Sequence, residues 1–152
     1  DVTGQAYCWT ANWAEPLGTG VATETPLPVI GDLRWREISV STGSFMACGV
    51  TTDRRGFCWG ENWRGQLGIG LDDEISDSVY PTPQEIAGGL RWRMIRTLHS
   101  GGACGLTDEG DAYCWGSSRL IPPQLPDSTS IAAPFPLGLY GSDLATGDGR
   151  PT

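Results

Sequence analysis

The stretch CGVTTDRRGFCWGENWRGQLG, residues 48–68, carries most of the fold prediction because its parts recur along the 152-residue chain. Its centre, an aromatic residue followed by Cys and Trp, occurs at residues 7–9, 57–59 and 113–115. Successive copies are separated by 50 and then 56 residues. A spacing of this size indicates a repeat protein in which each unit is one small supersecondary motif.

Three further strings repeat at matching positions around this centre. They are Leu-Gly-x-Gly at 17–20 and 67–70, Leu-Arg-Trp-Arg at 33–36 and 90–93, and Cys-Gly-x-Thr at 48–51 and 104–107. All seven tryptophans of the chain occupy repeated positions. Because Trp buries a large apolar area and fills the space between stacked sheets, we expect these side chains to pack between units.

One unit predicts extended runs at 34–40, 45–51, 55–59 and, more weakly, near 67–69, with turn residues between them. No stretch keeps a 3.6-residue apolar period, so helix is expected to be at most a turn or two. Short strands at even spacing, with glycine and aromatic signatures in each unit, are typical of β-propeller blades. The sequence therefore predicts an all-β, antiparallel chain of four-stranded blades.

The spacing of four cysteines predicts two disulfides. Cys48 and Cys58 are ten residues apart, as are Cys104 and Cys114, and turn-forming residues lie at both midpoints. Folding each segment about its midpoint places the two cysteines opposite each other on adjacent strands, with Cα atoms about 4.5–5.5 Å apart, within the range of a disulfide. Reduced cysteines that pack in the core are the alternative; a zinc site is poorly supported because no Cys-x-x-Cys pair occurs.

Cys8 remains unpaired in this scheme, because its partner would lie ten residues upstream, before Asp1. Residues 1–9 therefore resemble the second half of a hairpin. Residues 144–152 similarly resemble the start of a unit that does not continue. Two interpretations follow: a fragment of a longer array, or a short chain that completes its blades by self-association.

The string at 48–68, the string at 105–116 and, less closely, residues 7–18 resemble the RCC1 repeat. The resemblance implies a β-propeller of about seven blades of roughly 50 residues each, of which this chain would hold about two to three as a partial propeller. The implied organisation is RCC1-like repeats over residues 1–116, followed by a Pro/Gly-rich insertion or tail with a degenerate partial repeat at 117–152. Within the repeats, 1–47 is a partial unit, 48–103 a full unit and 104–116 the start of a third.

The charge of the chain limits its partners and its compartment. Ten arginines and no lysines stand against eighteen Asp and Glu, a net charge of −8. Surfaces that bind nucleic acid or anionic membranes are basic, so neither partner is expected, and no apolar run is long enough to span a bilayer. Because paired cysteines persist in oxidising compartments, we expect an extracellular, periplasmic or cell-surface protein. The family that the chain resembles includes a nuclear exchange factor for a small GTPase and secreted members that bind other proteins. The acidic charge and the paired cysteines favour a role like that of the secreted members.

The chain offers little for catalysis, and neither an enzyme nor a cofactor is expected. Its only histidine, His99, lies in a predicted turn where a structural hydrogen bond is its expected role. No carboxylate pair in an apolar pocket is indicated, as glycoside hydrolysis would need. No metal site is predicted either. A weak calcium candidate, with a solvated loop as the alternative, consists of Asp72, Asp73, Glu74 and Asp77.

Exposed aromatic and arginine side chains on loops are the residues expected to bind a partner, since such residues dominate protein interfaces. The candidates are Trp63, Arg64 and Tyr80, with Arg54 and Arg55 as weaker ones. The predicted function is non-enzymatic protein recognition through loops at the propeller rim. One alternative is a structural subunit that assembles into a fibre or surface layer by completing blades or strands between chains. A third is glycan binding, because exposed Trp can stack on sugars.

Overall fold

A computed structural model describes residues 1–9, 18, 24–41, 43–71, 79–117 and 130–137. These residues form strands and turns, and no helix among them is long and apolar enough to cross a membrane. The strands are β1 (Tyr7–Cys8), β2 (Leu27–Pro28), β3 (Trp35–Ser41), β4 (Met46–Thr51), β5 (Gly56–Glu61), β6 (Val79–Glu85), β7 (Trp92–Leu98), β8 (Gly102–Thr107), β9 (Ala112–Ser117) and β10 (Ser130–Pro136).

The strands form two antiparallel four-stranded sheets, β3-β4-β5-β6 and β7-β8-β9-β10, and a two-stranded sheet, β1-β2. The two larger sheets meet along β3 and β7. The backbone N–H of Ile95 donates to a carboxylate oxygen of Glu37 at 2.8 Å, and that of Thr97 donates to the Ser39 hydroxyl at 3.0 Å. Strands β6 and β10 lie at the opposite edges. The all-β, blade-like architecture predicted from the repeats is thus confirmed.

Repeated tryptophan pairs give both sheets the same core geometry. The Trp35 and Trp59 ring centroids are 5.3 Å apart, and those of Trp92 and Trp115 are 5.4 Å apart. Trp59, Trp92 and Trp115 are almost completely buried. The larger apolar cluster joins residues of both sheets, including Met46, Val50 and Ile95, so neither sheet buries its apolar face without the other.

Both predicted disulfides are confirmed. Cys48 pairs with Cys58, and Cys104 with Cys114; each pair joins directly opposed residues of neighbouring strands whose Cα atoms are 4.1 Å apart. Cys8 is free, lies opposite Leu27 in the β1-β2 pair, and burial raises the pKa of its thiol.

The prediction of a weak strand near 67–69 is wrong. Residues 62–70 form turns, and Gly68 has a φ of 69°. A side chain at that position would come within 2.6 Å of the Trp115 indole, so the segment reaches across to the next sheet and does not continue its own. The fourth strand is instead β6, which pairs with β5 through Phe57 and Glu85.

Part of the predicted insertion or tail at 117–152 belongs to a sheet. Ser117 is the last residue of β9, and β10 pairs with β9 through Ile131 opposite Gly116 and Phe135 opposite Cys114. Both outer strands contain two prolines, in VYPTPQE and SIAAPFP. Proline is tolerated there because an edge strand needs hydrogen bonds on one side only. The same prolines suggested loops when only the sequence was considered.

Candidate functional site

A cavity of about 220 Å³ lies between the two larger sheets at the end where β3 joins β4 and β7 joins β8. We call this end the rim. The described residues that line the cavity come from three turns: Gly43 and Ser44 before β4, Trp63, Arg64 and Gln66 after β5, and His99, Ser100 and Gly101 before β8. The site therefore combines loops from two successive repeats.

The turn after β5 is fixed from within by the buried side chain of Asn62. Its Oδ1 accepts the Leu67 N–H at 3.0 Å, and its Nδ2 donates to the Leu71 carbonyl at 3.2 Å. The N–H of Gly65, which has a φ of 64°, closes the turn on the Asn62 carbonyl at 2.9 Å. These bonds hold the two residues at the apex, Trp63 and Arg64, outward.

Trp63 and Arg64 together form an exposed platform at the mouth of the cavity. Trp63 is 49% exposed, and its Nε1 donates to a carboxylate oxygen of Glu61 at 2.9 Å. The Arg64 guanidinium lies over the ring, 4.8 Å from its centroid. No carboxylate among the described residues forms an ion pair with Arg64. The platform thus presents an apolar face and a positive charge side by side.

Gln66 forms the inner wall of the cavity and is only 1% exposed. Its Oε1 accepts the backbone N–H of Arg64 at 2.7 Å, which fixes the orientation of the amide. Within the described parts of the chain, no acceptor takes a hydrogen bond from its Nε2. The fully buried side-chain nitrogens that lack a partner in these parts of the chain are the indoles of Trp35, Trp59 and Trp115, so Gln66 Nε2 is not sealed off but open to the cavity.

His99 contributes the wall on the side of the second sheet. Its ring packs against Gly43, where even a methyl group would clash with it, so the two turns are in close contact. The Ser44 hydroxyl strengthens this junction by bonding to the Ser41 hydroxyl at 2.8 Å and the Leu98 carbonyl at 3.4 Å. The structural hydrogen bond expected of His99 is not made with any described residue; the ring fills space at the junction.

The other predicted binding residues lie away from the cavity. Arg54 and Arg55 are at the opposite end of the sheets, where β4 turns into β5. Arg54 pairs with Asp108 of the next sheet at 2.9 Å, and Arg55 makes two hydrogen bonds to Glu85, at 2.9 and 2.6 Å. The Arg55 hydrogen bond holds the pKa of Glu85 below its ordinary value. Both guanidinium groups are therefore engaged within the chain.

Tyr80 is partly buried in β6 opposite Gly60 and packs against the larger apolar cluster. The calcium candidates Asp72, Asp73, Glu74 and Asp77 lie outside the described residues. Inside them, no three His, Cys, Asp or Glu side chains are arranged to hold a metal ion.

Sequence reasoning identified Trp63 and Arg64 but missed Gln66, Ser44 and Ser100 as cavity residues. A signal for Gln66 was available, since it belongs to the Gly-Gln-Leu-Gly string that carries the family resemblance. For the two serines no signal existed, because they come from different turns and line one cavity only after the sheets pack.

Comparison with known proteins identifies the fold. No protein-family model and no curated protein matched the chain. Among solved structures, human WBSCR16 is similar with a TM-score of 0.65 and 23% identity, over 91% of this chain and 35% of that one. Yeast RCC1 (Prp20), in a complex with Kap60, is similar with a TM-score of 0.66 and 22% identity, over 88% of this chain and 33% of that one.

A further structure, of Prp20p from Saccharomyces cerevisiae, gives a TM-score of 0.65 and 22% identity, over 86% of this chain and 34% of that one. The chain thus spans about a third of the length of the structures it matches. Its four-stranded sheets have the RCC1-type β-propeller fold.

Proposed function

We propose that this chain, with its RCC1-type blades, is a non-enzymatic protein-recognition module that binds its partner at the rim. The observation that carries the proposal is the half-exposed Trp63, stacked by Arg64 at the mouth of an open cavity between two blades. Trp and Arg are the residue types that contribute most to protein interfaces when they sit beside a pocket.

The rigidity of the rim supports this function. The Asn62 hydrogen bonds fix the turn that carries Trp63, and Ser44 and His99 hold the neighbouring turns together. A preorganised surface loses little conformational freedom on binding, so more of the contact energy appears as affinity. At the opposite end, Arg54 and Arg55 are already paired with carboxylates of the chain and offer less to a partner.

The similar structures also support a protein partner. One contains yeast RCC1 bound to Kap60, and Prp20p from Saccharomyces cerevisiae has binding properties to Gsp1p and histones. For this chain we propose a protein partner without transferring any of those identities. Two disulfides favour action in an oxidising compartment, outside the cell or in the periplasm.

Selection from a displayed library of random peptides tests the proposal on the intact chain. Selected peptides should bind Trp63→Ala at least about tenfold more weakly, since an interface Trp commonly contributes more than about 1.4 kcal/mol. The matched control, Arg54→Ala at the opposite end, should change affinity by less than about twofold. Peptides that bind Trp63→Ala as tightly as the native protein would place recognition elsewhere and refute the proposal.

A further inference from the structure

We propose that the rim cavity is a receptor for a carboxylate, supplied by an Asp or Glu side chain of the partner protein. The inference rests on the proposed function and specifies what the cavity beside Trp63 accepts. Three observations carry it: an arginine without a carboxylate partner, an amide donor without an acceptor on a buried side chain, and cavity walls that contribute no negative charge.

Arg64 is one of the described arginines that form no ion pair, and it is the one that lines the cavity. Arg54, Arg55 and Arg96 each form an ion pair with a carboxylate, at 2.9, 2.6 and 2.9 Å respectively. Arg64 lines the cavity and, in the described part of the chain, has no such partner. Its guanidinium lies against the Trp63 ring, a contact that favours this position at the mouth of the cavity. A held guanidinium is well suited to bind the two oxygens of a carboxylate.

Gln66 supplies a second donor at the inner end of the cavity. Since its Oε1 is occupied by the Arg64 N–H, the amide nitrogen is the polar atom left for a ligand. This nitrogen has no acceptor in the regions the structure describes, although the residue is 1% exposed. An incoming carboxylate oxygen would satisfy it, whereas an amide or apolar side chain would lack the charge that Arg64 favours. Ser100, from the turn before β8, also lines the cavity.

The described residues around the cavity do not supply the missing acceptor. None of its described lining residues is acidic, even though the chain carries a net charge of −8. Glu61, the carboxylate tied to the platform, accepts the Trp63 indole N–H at 2.9 Å and does not line the cavity. A positively charged cavity in an acidic protein selects a complementary anion, so its occupant is an acidic side chain of the partner.

Solution NMR of the complete ¹⁵N-labelled chain tests this with three matched probes: N-acetylaspartic acid N-methylamide, the asparagine analogue and the phosphoserine analogue. The aspartate probe should saturably shift the Gln66 side-chain NH₂ and Trp63 indole signals. The asparagine probe should bind at least about tenfold more weakly, because it lacks the charge-assisted hydrogen bonds. Arg64→Gln should abolish the preference for aspartate, and Arg54→Gln should retain it.

Equal binding of the aspartate and asparagine probes, a preference retained in Arg64→Gln, or Gln66 signals that do not move would each overturn the carboxylate assignment. Tighter binding of the phosphoserine probe would overturn it in favour of a phosphate. The peptide selection separates this inference from the proposed function. If Trp63→Ala weakens the selected peptides while the aspartate preference is absent, rim recognition stands and the carboxylate receptor fails.

Discussion

Replacing Cys48 and Cys58 together by alanine should lower the free energy of unfolding by about 2.7 kcal/mol at 25 °C. The bridge joins positions ten residues apart in the sequence. Loss of loop-closure entropy from the unfolded chain gives this value for a loop of about ten residues. Both cysteines are completely buried, and alanine in their place leaves no polar group without a partner. The second bridge closes a loop of the same length, so Cys104→Ala with Cys114→Ala should have a similar effect.

Urea unfolding followed by tryptophan fluorescence measures this loss, because Trp92 and Trp115 belong to the same buried cluster as Cys48 and Cys58. Cys8→Ala is the matched control, since Cys8 forms no disulfide. In thermal unfolding, the same loss corresponds to a melting temperature lower by about 5–10 °C for a chain of this size. The reasoning is refuted if the double variant is as stable as Cys8→Ala, or if a reducing agent leaves the unfolding of the native protein unchanged.

Two further predictions concern a glycine contact and an ion pair. Gly68→Ala should destabilise the chain by about 1–3 kcal/mol more than Gly110→Ala. Both glycines have positive φ, but a methyl group at 68 would lie 2.6 Å from the Trp115 indole, whereas one at 110 would meet nothing within 4 Å. Equal melting temperatures would contradict this. The Arg55 hydrogen bond lowers the pKa of Glu85 in the folded protein. The ionised Glu85 therefore stabilises the fold at pH values above its pKa in the unfolded chain, and this stabilisation is lost as the pH falls through its pKa in the folded protein. Between about pH 5 and pH 3, the free energy of unfolding of Glu85→Gln should therefore fall less than that of the native protein. The same pH dependence in both proteins, measured by urea unfolding, would refute this role.

The disulfides and the central strands could be predicted because their signals are local and repeated. A ten-residue spacing with a turn at its midpoint fixes which residues of a hairpin face each other, and this pattern occurs at Cys48–Cys58 and again at Cys104–Cys114. Four of the tryptophans expected to pack between units are buried, Trp35, Trp59, Trp92 and Trp115, whereas Trp9 and Trp63 are exposed and do not fit that expectation. The predictions of the disulfides and the central strands need only the geometry of adjacent strands.

The sequence predicted no strand at 79–85 and a Pro/Gly-rich insertion or tail at 117–152, so both outer strands were missed. Proline is uncommon in central strands but is tolerated at a sheet edge. Pro81 and Pro83 lie within β6, and Pro134 and Pro136 within β10. Each of these strands pairs on one side only with a strand of its own sheet. Whether a segment is an edge is a property of the complete sheet, so the sequence of the segment alone could not reveal it.

Only part of the candidate site could be predicted, because the cavity exists only once the two sheets have packed together. The sequence singled out Trp63, Arg64 and Tyr80 as exposed loop residues and, more weakly, Arg54 and Arg55. Only the structure shows that the last two are paired with carboxylates while Arg64 faces a cavity. That cavity also requires His99, which is distant in sequence and reaches the first sheet through tertiary packing.

Hydrogen–deuterium exchange of the intact chain, with and without a selected peptide, tests the central claim most directly. We expect protection of the three rim turns, at residues 43–45, 62–66 and 99–101. Exchange in the turns of the opposite end, at 52–55 and 108–111, should be unchanged. Protection of the opposite end, with the rim exchanging as in the free protein, would contradict recognition through Trp63 and its neighbours.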